Sequence, residues 1–252
     1  MGEDVRRGAR IARALFLLAA VAATSAVAVP TALAEDDTSE GDQDDGPSDD
    51  QDAQKKPKQK PMPAMIDICM TSAVIAPTKA DGSPWDPGPP KATEDQRAKS
   101  NEAFRMLAAL ARKHPAMVAA ELTTVLSGSL FRAFGKPDVF GTLEVAPTGS
   151  YDGKLSRKMD LASKKRPVRE FHPNFGTSTC FKAVPWHKEL RLRVDLTDQD
   201  VAFDDKIATV VVPASDVAAA FEFGKVFHVY VGDQDTTQLK FVALEVTRTA
   251  DE

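Results

Sequence analysis

The chain has 252 residues, 42% of them apolar and 13 of them phenylalanine, which supplies a core for one domain and excludes a wholly disordered protein. Its 14 glycines follow no fixed period, so collagen-like and repeat-built architectures are excluded as well. A net charge of −5 argues against a general nucleic-acid binder.

Residues 1–34 read as a cleavable signal peptide. Arg6, Arg7, Arg10 and Arg13 form a basic start, Ala14 to Val29 is a run of small and apolar residues, and Ala32-Leu33-Ala34 offers a small-residue cleavage site. The apolar run falls short of the roughly 20 residues that a bilayer span needs, which favours cleavage over a retained anchor. The expectation is an exported protein, periplasmic or secreted, whose mature chain has no transmembrane span. Residues 35–62 read as a disordered linker. Glu35 to Asp52 is rich in acids and holds no base, and Lys55, Lys56, Lys58 and Lys60 follow before Pro61 and Pro63. The linker is either a solvated spacer or an interaction tail.

Residues 63–252 form the domain. Met65 to Ile75 is apolar and β-branched, as a strand requires, and it carries Cys69. Cys69 and Cys180 are the only cysteines, so in an exported chain they are either a disulfide or two buried thiols. From Thr93, with Asp95 or Gln96 available for capping, Ala103, Leu107, Leu110 and Ala111 recur at helical spacing beside Phe104 and Ala108. Pro115 interrupts, and Val118, Leu122 and Val125 resume the period before Gly128. Residues 92–130 are therefore a helical hairpin or a kinked helix inserted among strands.

Val139 to Val145 alternates again as a strand. Six bases follow within a short stretch: Arg157, Lys158, Lys164, Lys165, Arg166 and Arg169. They are either a solvated face or a contact for an anionic partner. In Leu190 to Leu196, Leu190, Leu192, Val194 and Leu196 face one way while Arg191, Arg193 and Asp195 face the other, the pattern of a half-buried strand. Ile207 to Val212, Val226 to Val231 and Leu239 to Val246 follow, punctuated by Pro213, Gly224 and Gly232. Short strands with no helices alternating between them argue for an antiparallel sandwich.

Between two of those strands lies Asp198-Gln199-Asp200-Val201-Ala202-Phe203-Asp204-Asp205. Carboxylates converging at the end of a sheet repel one another unless a cation neutralises them, and an all-oxygen set suits calcium. The segment lacks the central glycine and terminal glutamate of the helix-flanked calcium loop.

Gly135-Lys136-Pro137-Asp138-Val139-Phe140-Gly141-Thr142-Leu143-Glu144-Val145 resembles the segment of C2-type domains in which glycine, a polar residue and aspartate precede a strand carrying an aromatic. Leu192 to Ile207 is similar to that family's strand, aspartate-x-aspartate loop and restart, and His172-Pro173-Asn174-Phe175 to the turn between the two regions. The resemblance runs from Gly135 to the C-terminus, and residues 65–85 can supply a first strand. It implies an all-β fold, an eight-stranded antiparallel C2-like β-sandwich with an inserted α-helical hairpin. It also implies calcium held between loops at one end, facing a phospholipid surface or a protein partner. Carried over residue by residue, the metal ligands are Asp86, Asp138, Asp198, Asp200 and Asp205, with Asp81 as the alternative to Asp86. Val201 and Phe203 become membrane contacts. The chain departs from the family's pattern in the long helical stretch between Asp86 and Asp138 and in Ala208, where the family has glycine.

The functional expectation is an exported, non-enzymatic, calcium-dependent binding module for a protein partner or an anionic membrane, and no nucleic acid. A calcium-free interaction sandwich is one alternative, and a hydrolase using the aspartates is another. No serine elbow, zinc-binding histidine spacing or phosphate loop occurs, and His114, His172, His187 and His228 are scattered.

Overall fold

The computed structural model describes residues 61–201, 203–232 and 237–250. Contacts divide the chain into Met1–Lys55 and Lys56–Glu252, and the fold below belongs to the second unit. The signal-peptide expectation and most of the linker lie outside the described residues.

Two antiparallel sheets form a sandwich. The strands are β1 (Met65–Ile75), β2 (Asp138–Ala146), β3 (Arg157–Ala162), the two-residue β4 (Val168–Arg169), β5 (Cys180–Pro185), β6 (Arg191–Asp198), β7 (Asp205–Pro213), β8 (Phe227–Tyr230) and β9 (Leu239–Arg248). One sheet has the order β5-β1-β9-β8; the other runs β3-β2-β6-β7, with β4 pairing the start of β2. The mostly-β sandwich expected from the alternating strands is the architecture found.

The two sheets differ in how they meet water. In β6 buried and more accessible residues alternate strictly, because one face packs into the sandwich and the other is solvated. β9 is buried along most of its length instead. Its second face lies under the helical insertion, where Phe104 of helix α1 (Glu94–Lys113) packs on Phe241 with ring centroids 6.5 Å apart.

Helix α1 begins with a full capping box: Thr93 Oγ1 accepts from the Gln96 amide, and Gln96 Oε1 accepts from the Thr93 amide. Its buried stripe is Ser100, Phe104, Leu107, Ala108 and Ala111. His114 leaves helical geometry (φ −140°, ψ 64°), and Pro115 opens α2 (Pro115–Leu126), so the insertion is a pair of helices rather than one kinked rod. A short α3 (Ser129–Ala133) carries Phe131 against Phe104 and Phe171. Between β7 and β8 the chain forms a fourth helix, α4 (Ala214–Phe223), ended by Gly224 in the left-handed region (φ +68°). This corrects the expectation that no helix intervenes among the C-terminal strands.

Cys69 and Cys180 are bonded to each other and sit opposite one another in the β1/β5 ladder, resolving the choice between bridge and thiols. The crosslink ties edge strand β5 to the centre of its sheet.

Candidate functional site

The ladder registers bring three of the aspartates to one end of the sandwich. Asp198 closes β6 opposite Asp205, which opens β7, and on its other side Asp198 lies opposite Val139, next to Asp138 at the start of β2. The Asp138 amide donates to Asp198 Oδ1 at 2.7 Å, and the Gln199 amide donates to the Asp138 carbonyl at 2.9 Å. Asp138 therefore joins the site through its backbone. The end of β1 and the turn after it approach from the other sheet.

That turn supplies a residue the sequence reading missed. The Lys79 amide donates to the Ser83 carbonyl at 2.8 Å, and the Gly82 amide donates back to the Lys79 carbonyl at 2.9 Å, with Gly82 at φ +83°. The Lys79 ammonium donates to Asp205 Oδ2 and stands 3.6 Å from Asp200 Oδ2. It also lies 5.6 Å from the centroid of the Trp85 ring. Trp85 is buried, and its indole N–H donates to the Ala76 carbonyl at 2.9 Å, so the ring is a fixed wall beside the ammonium.

The electrostatics follow from burial. Asp198 is 1% exposed, and its Oδ2 is buried without a hydrogen-bond partner. Burial pushes its carboxyl up to about 6, helped by the nearby Asp200 and Asp86 charges and opposed by the Asp138 amide and Lys79. Burial also raises Asp200, against the pull of Lys79. For Lys79 burial opposes the charge, but the Asp205 hydrogen bond and the surrounding carboxylates win and hold it above the ordinary lysine value.

The remaining expected ligands have partners of their own. Asp86 is ion-paired with Arg169. A Cβ at position 135 would come within 2.6 Å of Asp86 Cβ, so the close approach of these two loops needs glycine there. Asp81, the alternative first ligand, caps its own turn by accepting from the Ser83 amide at 2.9 Å and pairs with Lys91 at 2.9 Å; the hydrogen bonds from Ser83 hold its carboxyl far below the usual range. Among the described residues no group of three or more histidine, cysteine, aspartate or glutamate side chains is arranged to hold a metal ion. The donor set in this arrangement does not fit calcium, because an ammonium already lies against two of its carboxylates.

The basic stretch divides in two. Arg157 Nη1 donates to the Lys182 carbonyl at 2.8 Å and its guanidinium lies over Phe181, Lys164 pairs with Asp204, and Arg169 pairs with Asp86. Those three have partners within the domain. Lys158, Lys165 and Arg166 are exposed, as are the other three. The Lys164–Asp204 pair sets the basic turn between β3 and β4 beside the β6–β7 loop. At that loop Val201 and Phe203 are 110% and 84% exposed. Val201 and Phe203 thus stand out from the same loop whose acids Lys79 holds.

Among the described residues no helix is long and apolar enough to cross a membrane. No family model matches the chain, and no curated protein matches it. Among solved structures, the chain is similar to the first C2 domain of a plant extended synaptotagmin 1 (11% identity, TM-score 0.34, 75% of this chain and 96% of that one). It is also similar to the calcium-bound pair of C2 domains of extended synaptotagmin 2 (14%, 0.32, 74% and 47%). A third similar structure is the human GIVD cytosolic phospholipase A2 in complex with methyl gamma-linolenyl fluorophosphonate and terbium chloride (12%, 0.35, 74% and 18%). The chain thus spans less than a fifth of that phospholipase and about half of the two-domain synaptotagmin structure. With TM-scores below 0.5 these likenesses assign no residue a role, and the sandwich is established by its own two sheets.

Proposed function

We propose that this is an exported, non-enzymatic binding module that docks on an anionic phospholipid surface through the loop between β6 and β7. The observation that carries the reading is the full exposure of Val201 and Phe203 on one loop tip, beside a basic turn. Burying a side chain of this kind in an apolar phase is worth about 1.5 to 3 kcal/mol, and each lysine or arginine near an anionic leaflet adds about 1 kcal/mol. Two weak signals of different kind are what reversible membrane docking requires. Of the carboxylates at this end, Asp205 is ion-paired to Lys79 and Asp86 to Arg169, which occupies them within the chain's own structure.

The test is vesicle flotation in chelator, comparing phosphatidylglycerol–phosphatidylcholine vesicles with phosphatidylcholine alone. Binding to the anionic vesicles that falls at least about tenfold in the Val201→Asp/Phe203→Asp variant supports the reading. Equal flotation of wild type and variant, or flotation of neither, overturns it; flotation of neither returns the loop to the protein-partner alternative.

A further inference from the structure

The carboxylates at the loop end pose a problem that every such cluster poses, since Asp198, Asp200 and Asp205 repel one another unless a cation lies among them. This chain carries that cation covalently. We infer that Lys79 is a tethered counter-ion standing where a divalent metal would have to stand, so that the β6–β7 loop is assembled without metal, and that replacing the lysine opens a divalent-cation site on Asp198, Asp200 and Asp205.

Four observations carry this. The ammonium meets carboxylates from two positions, donating to Asp205 and lying 3.6 Å from Asp200. Its backbone is pinned on both sides by the turn closed by Lys79 N to Ser83 O and Gly82 N to Lys79 O, so the side chain is delivered by a defined turn rather than by a free tail. Its side chain is only 19% exposed, and Trp85 walls its other flank. Finally, Asp198 Oδ2 is buried and has no hydrogen-bond partner, a spare acceptor beyond those the ammonium already contacts. A single ammonium offers three donors and one positive charge, and it leaves that oxygen unmet. A divalent oxygen-seeking ion would take up just such an oxygen together with Asp200 and Asp205. Among the described residues the three do not form a ligand set in the present arrangement, in which the lysine lies against Asp200 and Asp205.

The inference is independent of membrane docking, and it is tested with metal alone. Trp85 lies beside the ammonium, so terbium bound in place of Lys79 falls within reach of tryptophan-sensitised luminescence. The full chain is titrated with terbium and then calcium, with thermal melting followed in calcium and in chelator. The expected result is no saturable luminescence and no calcium-dependent shift in the wild type. Lys79→Met, which keeps the aliphatic stem against Trp85, should gain saturable luminescence that calcium competes away and a melting temperature several degrees higher in calcium than in chelator. Lys79→Arg, which keeps the charge, should behave as the wild type. Saturable metal binding by the wild type overturns the inference, because the ammonium would then be displaceable. Absence of metal binding in Lys79→Met overturns it too, and so does equal gain in Lys79→Arg. A Lys79→Met chain that folds only when calcium is added supports it; one that fails to fold in calcium as well overturns it, since metal should restore the lost charge.

Discussion

Each end of β1 has a buried aspartate with a lysine nearby, and the two are built to opposite standards. At the start of the strand, Asp67 accepts from the Lys182 ammonium at 2.8 Å, the Ala183 amide at 3.0 Å and the Thr249 hydroxyl at 2.8 Å. Burial pushes the Asp67 carboxyl up, but those three donors together hold it below the ordinary value. Beyond the end of the strand, Asp198 accepts one backbone hydrogen bond and leaves its second oxygen unmet, and burial dominates. Fully satisfied buried carboxylates stabilise a fold, whereas under-satisfied ones weaken it and are tolerated where the site has another use. The Asp67 end is the well-satisfied anchor of the sandwich, and the Asp198 end is the under-satisfied one.

The sharpest way to break that contrast is to cut the anchor's crosslink. The Cys69–Cys180 bond closes a loop of 111 residues next to Asp67. Cys69→Ser with Cys180→Ser should cost about 4 kcal/mol in urea unfolding, with hydrogen exchange rising first in β5. A loss confined to the loops around Asp198 would contradict the division of labour.

Removing the anchor's carboxylate ranks next. Asp67→Ala strands the Ala183 amide and the Thr249 hydroxyl and takes the partner from Lys182, at an expected cost of about 3 kcal/mol. The sign with pH is fixed by the lowered carboxyl: its stabilisation is present above the unfolded value near 3.8 and fades as pH falls below it. The variant should therefore lose part of the wild type's acid limb. An unchanged acid limb in urea titrations across that range would show that Asp67 is not the titrating group.

Most of this contrast was hidden in the sequence for reasons that can be named. β6 is legible because a solvated outer face forces Leu192, Val194 and Leu196 to alternate with Arg193 and Asp195. The cap at Thr93 is equally local, and the structure chooses Gln96 rather than Asp95 as its partner. β3 and β5 carry no such period: β3 is an edge strand with little burial, and β5 has a break at Ala183, whose φ is +48°. Helix α4 has no side-chain hydrogen bond at its cap to announce it. At the loop end the aspartates were visible as a group that demands a cation, but the demand does not say which cation. Lys79 lies more than 100 residues before Asp198 in a turn, and only the packing of two sheets brings it there. The ion pairs of Arg169 with Asp86 and of Lys164 with Asp204 are likewise tertiary and leave no local signal in the sequence.

The smallest expected effect is also the one with the unusual sign. Asp198 is 1% exposed, and its carboxyl stands at about 6 in the fold against 3.8 for the free group. Between those values the native state holds a proton that the unfolded chain has released, so stability rises as pH falls from above 6 toward 3.8, opposite to the behaviour of Asp67. Above pH 6 the buried charge is carried at a cost. Asp198→Asn keeps an oxygen to accept from the Asp138 amide and removes that charge. In chelator at neutral pH it should be more stable than the wild type by about 2 kcal/mol, a figure reduced from the shift itself because Lys79 loses a neighbouring carboxylate. The gain should shrink as pH approaches 4.5, where the wild-type carboxyl is already protonated. Urea titrations at a series of pH values read both quantities. A variant less stable than the wild type at neutral pH would mean that Lys79 compensates the Asp198 charge in full, and the two ends of β1 would then be built alike.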